Sequence, residues 1–237
     1  MNYSDSSFVK EFNGLVRECE VFIFVTRDSE LQKETCNKLQ NGLVRISAEK
    51  ELAIAHDNED YANLLLGCEC VASALMAEIK MWLLLKEGQP DEAWGALVAA
   101  QDSMSGAMRA HQGFEHLVQH IERLYAIENL VFPPQVFLSS GTLVSQQICS
   151  ICGKEYEDCE HVKGRPYMGR FCTLTLIPSK VDHIAIVDIP ANKICRVLKF
   201  STEGGYRNRM TWRVEPGEGS GGTGEGITAQ GIIATLA

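Results

Sequence analysis

The sequence predicts an α+β chain: an N-terminal antiparallel helical bundle followed by a small β-rich domain. Two observations carry this. No proline occurs before Pro90, and apolar residues up to about residue 133 recur at three- and four-residue spacing. After Phe132-Pro133-Pro134 the period changes, and apolar residues alternate or run in short β-branched stretches.

The helical part divides into four segments. Phe8, Phe12, Leu15, Val16, Cys19 and Phe22 lie on one stripe of a helix running from about Ser4 to Val25. Asp28-Ser29-Glu30 is an N-terminal signal for a second helix, through Leu31, Leu39, Leu43, Ile46, Leu52 and Ile54. A third runs from about Asp60 to Lys86. Its apolar face, from Leu64 through Leu75 to Leu83, is broad enough to pack on more than one neighbour. Gly88-Gln89-Pro90-Asp91-Glu92 ends that helix and starts the fourth, with acids at the positive end of the new helix. The fourth extends to about Asn129, with Gly106 and Gly113 as places for a kink or break.

The back half begins with a linker, 134–148, containing Ser139-Ser140-Gly141. Strands are expected around Phe171–Ile177, His183–Ile189, Ile194–Phe200 and Met210–Val214. The Gly-rich acidic stretch from Pro216 to Gly226 reads as a flexible tail, followed by an apolar end from Ile227 to Ala237. The expected division is therefore 1–133 helical, 134–148 linker, 149–214 β-rich, and 215–237 tail.

Net charge is −9 and unevenly placed. Residues 1–133 carry 11 basic and 21 acidic side chains; residues 134–237 carry 11 and 10. A general phosphate-backbone binder needs a basic surface, so any nucleic-acid contact is expected from the back half. No secretory signal and no 18-residue uncharged apolar run is read, with Glu69, Glu78 and Lys80 interrupting the most apolar segment. A cytoplasmic chain without a membrane span is the expectation, and its nine cysteines are then read as thiols rather than disulfides.

Those cysteines separate by context. Cys19, Cys36, Cys68 and Cys70 fall in helical pattern, where a thiol acts as a small buried hydrophobe. Cys149, Cys152, Cys159 and Cys172 crowd into a short polar stretch. Cys149-Ser-Ile-Cys152-Gly153 has the spacing of a metal knuckle, in which two thiolates grip one ion and the following glycine permits the turn. Cys159 and His161 complete a tetrahedral donor set of the kind Zn2+ prefers. Two residues is tight spacing for Cys159 and His161 to face one ion, so Cys172 stands as a substitute for either. A closed four-donor site leaves no place for water, and its role is structural.

Other constellations are weaker. Lys154, Lys163, Arg165 and Arg170 interleave with Tyr156, Tyr167 and Phe171, but Glu155, Glu157, Asp158 and Glu160 balance them. Arg207, Arg209 and Arg213 with Tyr206 and Trp212 form a second basic and aromatic cluster. His116 and His120 share a helical face but lack the Glu of a zinc protease, and read as a surface pair. No phosphate loop and no nucleophile elbow occurs, so no catalytic residue is assigned.

The stretch from Cys149 to Cys172, followed by Val187-Asp188-Ile189-Pro190-Ala191-Asn192, resembles a cysteine-rich segment of tailed-phage capsid and prohead-maturation proteins. It covers about 45 of 237 residues. The related prohead proteases place a nucleophilic serine in that strand, where this chain has Ala185. The resemblance therefore implies a phage-related assembly role without peptidase activity. The sequence as a whole predicts a non-enzymatic interaction or assembly protein with a protein partner and a structural zinc. A zinc-dependent nucleic-acid binder is the alternative, and a zinc hydrolase the third reading.

Overall fold

In the computed structural model, the residues described are residue 3, residues 6–217 and residues 228–233. Among the described residues five α-helices come first: α1 (Ser7–Glu20), α2 (Ser29–Ala55), α3 (Glu59–Lys86), α4 (Pro90–Ala110) and α5 (Val118–Val131). Among the described residues eight strands follow: β1 (Phe137–Cys149), β2 (Pro166–Tyr167), β3 (Arg170–Phe171), β4 (Leu174–Val187), β5 (Val197–Thr202), β6 (Gly205–Asn208), β7 (Val214–Pro216) and β8 (Ala229–Gly231). The α+β class expected from the sequence is the class observed. The Gly-rich stretch 218–227 and the last residues 234–237 lie outside the described residues.

The helices start and stop for local reasons. The Asp28 side chain accepts from the backbone N–H of Glu30 and Leu31, capping α2. Asn58 caps α3 by accepting from Tyr61, and Pro90 opens α4 with Asp91 and Glu92 in its first turn. The α1–α2 connection is pinned from inside the bundle. Gln32 donates to the carbonyls of Phe22 and Phe24, Trp82 Nε1 donates to Ile23 at 2.8 Å, and Lys86 donates to Arg27.

The long fourth helix of the sequence reading is two helices. His111 adopts an extended backbone, φ −159°, and a 3-10 turn over Gln112–Leu117 precedes α5. The break falls beside Gly113, while Gly106 continues in α4. There the reason for glycine is packing: a Cβ at Gly106 would stand 3.2 Å from Cys70 Sγ and 3.6 Å from the Phe171 ring.

The core is centred on α3. Leu65, Ala72, Leu75, Ile79 and Met81 are fully buried, against Leu39 and Ile46 of α2 and Leu97 and Met104 of α4. Truncating one such leucine costs about 2–5 kcal/mol. By length and composition alone α3 is apolar enough to cross a membrane, with an 18-residue window of mean hydropathy 1.5. Of that window 61% is buried within the protein, where the apolar face serves the bundle.

The chain forms two compact units, Met1–Ala126 with Ile148–Thr175, and Ile127–Gln147 with Leu176–Ala237. This division cuts across the order expected from sequence: the cysteine-rich segment belongs with the helices. The supposed linker 134–148 contains β1, which pairs with β4 as a two-stranded ribbon. In the second unit a four-stranded sheet has the order β7-β6-β5-β8, antiparallel throughout.

Candidate metal centre

Cys149 ends β1 and opens a tight turn. Its N–H donates to the Lys154 carbonyl at 2.9 Å, and its carbonyl accepts from Gly153 at 2.9 Å. Gly153 has φ +70°, a conformation that favours glycine and allows the tight turn. The Ile151 N–H points at Cys149 Sγ from 3.4 Å. Burial raises the Cys149 thiol, but the N–H groups of Cys152 and Ile151 and the neighbouring thiols outweigh it, bringing it down to about 6.

The second half of the set comes from an extended segment. Tyr156–Asp158 makes one 3-10 turn, after which Cys159 has φ −122° and ψ 147°. Residues two apart on extended backbone project to the same side. This is how Cys159 and His161, close in sequence, face one point. Cys159 Sγ lies 3.7 Å from His161 Nδ1 and accepts from the His161 N–H at 3.3 Å. The imidazole stands edge-on to Tyr167, with centroids 4.6 Å apart. Tyr167 Oη in turn accepts from the Val162 N–H at 2.9 Å, which fixes the ring that supports His161.

The four donor atoms of Cys149, Cys152, Cys159 and His161 all lie within 4.8 Å of one another. They are close enough to hold one metal ion. Cys149 is buried, Cys159 and His161 are half-buried, and Cys152 is at the surface. Cys172, the substitute weighed from the sequence, is also present. Its buried Sγ sits 3.7 Å from Cys149 Sγ. Glu157, Asp158 and Glu160 are exposed, as solvated side chains beside a loop.

The module is fastened to the bundle at the hairpin between β2 and β3. Met168 and Gly169, both at positive φ, form its tip. The Met168 N–H donates to Glu59 Oε1 at 3.2 Å, and the Gly169 N–H to Asn63 Oδ1 at 2.8 Å, both on α3. Phe171 packs by Gly106, and the Arg109 guanidinium lies 5.3 Å from its ring centroid. Lys50 pairs with Glu69 in a largely buried position, and its side chain runs against Gly169.

The pair His116 and His120 does not converge. His116 is exposed in the 3-10 turn, while His120 on α5 points inward. There the sequence reading missed a buried network. Glu78, fully buried on α3, accepts from Arg123 through both oxygens at 2.6 and 2.7 Å, and its Oε2 lies 3.0 Å from His120 Nε2. Glu78 registered in the sequence only as a charge interrupting an apolar helix. Arg165 and Arg170 fall in the first unit, whereas Arg207, Arg209 and Arg213 fall in the second. The two basic clusters therefore belong to different units.

No protein-family model matches the chain, and no curated protein or solved structure is significantly similar to it.

Proposed function

We propose that Cys149, Cys152, Cys159 and His161 bind one zinc ion, and that the ion is a structural clip in a non-enzymatic interaction or assembly protein. The observation that carries the metal reading is the convergence of four soft donors within 4.8 Å on a loop that has few apolar residues. With Zn–S near 2.3 Å, two sulfurs of a tetrahedral site stand about 3.8 Å apart. A sulfur–nitrogen edge is slightly shorter, and the 3.7 Å between Cys159 Sγ and His161 Nδ1 is close to it. Four protein donors close the shell, which suits fold stabilisation rather than activation of water.

Cys172 then has a supporting role. Its thiol donates S–H to the Cys149 sulfur and moderates the charge of the ligand, as outer-shell partners of metal sites do. Zinc holds the turn at Cys149–Gly153 against the segment Cys159–His161, and so presents the β2–β3 hairpin to α3. An assembly role, of the kind the phage resemblance implies, is supported by apolar surface. Ile184 and Ile186, on one face of β4, are both exposed.

The test is metal analysis of the purified chain with cobalt substitution. One equivalent of zinc and the visible bands of tetrahedral cobalt are expected. Cys149→Ser abolishes both, and Cys172→Ala keeps the bands while weakening affinity by roughly 10-fold or more. Absence of tetrahedral bands, or retention of metal in Cys149→Ser, rejects the assignment.

A further inference from the structure

The four-stranded sheet of the second unit has two faces of different chemistry. Directly paired residues project to the same side. Phe200 pairs with Arg207, Arg207 with Val214, and Phe200 with Ala229. The opposite face carries Lys199, Ser201, Tyr206, Asn208 and Glu215, and it is internally neutralised. Glu215 accepts from Lys199 at 3.4 Å and from Asn208 at 3.2 Å.

On the Phe200 face the strand positions contain no acid. The chain after β6 folds back there: the Trp212 N–H donates to the Asn208 carbonyl at 2.9 Å, and Trp212 holds φ +58°. Its indole meets the Phe200 ring edge-on, 6.3 Å between centroids. Arg207 donates to the Trp212 carbonyl at 2.9 Å, and the Arg209 guanidinium lies 5.9 Å from the Trp212 ring. Arg209 is itself held by the Pro134 carbonyl at 2.8 Å. Trp212 is nonetheless 53% exposed, and Arg213 beside it is exposed. The basic side chains around these rings are Arg207, Arg209 and Arg213, and no acid occurs from Gly204 to Arg213.

A held but exposed indole, a second ring on the sheet, and arginines around both are a stacking platform inside a positive field. Unstacked bases fit the rings and phosphates fit the guanidiniums. A folded duplex offers no base faces to a flat sheet, and an acidic peptide makes no use of the indole. We propose that the Phe200–Arg207–Trp212 face binds single-stranded nucleic acid, as an activity separate from the metal centre.

The probe is a labelled oligothymidine added to the intact zinc-loaded protein. Trp82 and Trp94 are 9% and 2% exposed, so Trp212 reports base stacking as quenching of tryptophan emission. Saturable quenching with affinity that falls as salt rises supports the proposal. So does a roughly 10-fold loss in Trp212→Ala. Trp212→Phe retains a ring and most of the affinity, which separates stacking from misfolding. Arg213→Gln weakens binding several-fold and flattens the salt dependence. The proposal is overturned by absence of quenching at low salt, by unchanged affinity in Trp212→Ala, or by equal affinity and quenching with an oligoglutamate of the same charge. Loss of binding in Cys149→Ser, which would place the site in the metal-containing unit, also overturns it.

Discussion

Two sets of cysteines share the first unit and do opposite things. Cys19, Cys36 and Cys68 are buried in helices and Cys70 half-buried, and burial pushes their thiols up, Cys68 to about 12 and Cys70 to about 11. They act as small apolar groups. Cys149, Cys152 and Cys159 sit on turns and extended backbone, where side chains two or three residues apart converge. On a helix, neighbours at i and i+2 such as Cys68 and Cys70 point apart. Backbone conformation, more than cysteine content, separates packing from coordination. The helical part is held by apolar burial, whereas in the module four donor atoms converge on one point.

If that contrast is right, metal removal has the largest effect and a local one. Structural zinc sites contribute about 10 kcal/mol or more of folding free energy. Chelation of the zinc-loaded protein is expected to release protection of backbone amides across 148–175, read by hydrogen exchange. The amides of α2 and α3 stay protected. Equal loss in both regions breaks the comparison.

The converse test removes a fully buried charge of the helical part, Glu78. Glu78 holds Arg123 and His120 between α3 and α5. Glu78→Ala leaves the guanidinium without its buried counter-charge and should cost about 3–5 kcal/mol in denaturant unfolding of the helices. Metal stoichiometry stays at one. Loss of metal together with stability would mean the two regions do not hold separately.

A smaller change probes the joint between them. Gly169 has φ +72°, and a Cβ there would stand 3.2 Å from the Ala62 carbonyl and 3.0 Å from Lys50 Cδ. Gly169→Ala is expected to cost about 1–3 kcal/mol, through strain at a left-handed position and a displaced hairpin. Zinc affinity should change less than 10-fold, because no ligand moves with the hairpin tip. A larger loss shows that the joint also shapes the donor set.

Much of this was legible in the sequence, and the failures have physical causes. The caps at Asp28 and Pro90 and the broad face of α3 follow from local rules. The donor types and the glycine after Cys152 pointed to the knuckle, because coordination there is a matter of near neighbours. The close spacing of Cys159 and His161 was harder to read, since it depends on an extended backbone that spacing alone does not reveal. The role of Glu78 is not legible because its partners lie 42 and 45 residues away, and a long-range pair leaves no periodic signature. Ser139-Ser140-Gly141 has turn chemistry, which reads as a linker and conceals β1; pairing with β4 overrides that preference. Gly113 marked a break and Gly106 did not, although the sequence treats both alike.

The smallest expected effect tests the helical cysteines as packing groups. A thiol of pKa 9.0 when unfolded and about 12 when folded binds its proton more tightly in the folded state. Raising pH through 9 ionises the unfolded chain first, so stability falls as pH rises; it is fully present below 9. For Cys68 alone the loss is on the order of 1 kcal/mol at pH 10. The measurement is the change in unfolding free energy of the helices between pH 7 and pH 10, in zinc-loaded protein and in Cys68→Ala. Side chains that titrate in both proteins cancel in the difference, and the variant should lose less over the interval. Equal losses would mean that the Cys68 thiol ionises in the folded helix as freely as in the unfolded chain. Burial would then not be what keeps it out of coordination chemistry.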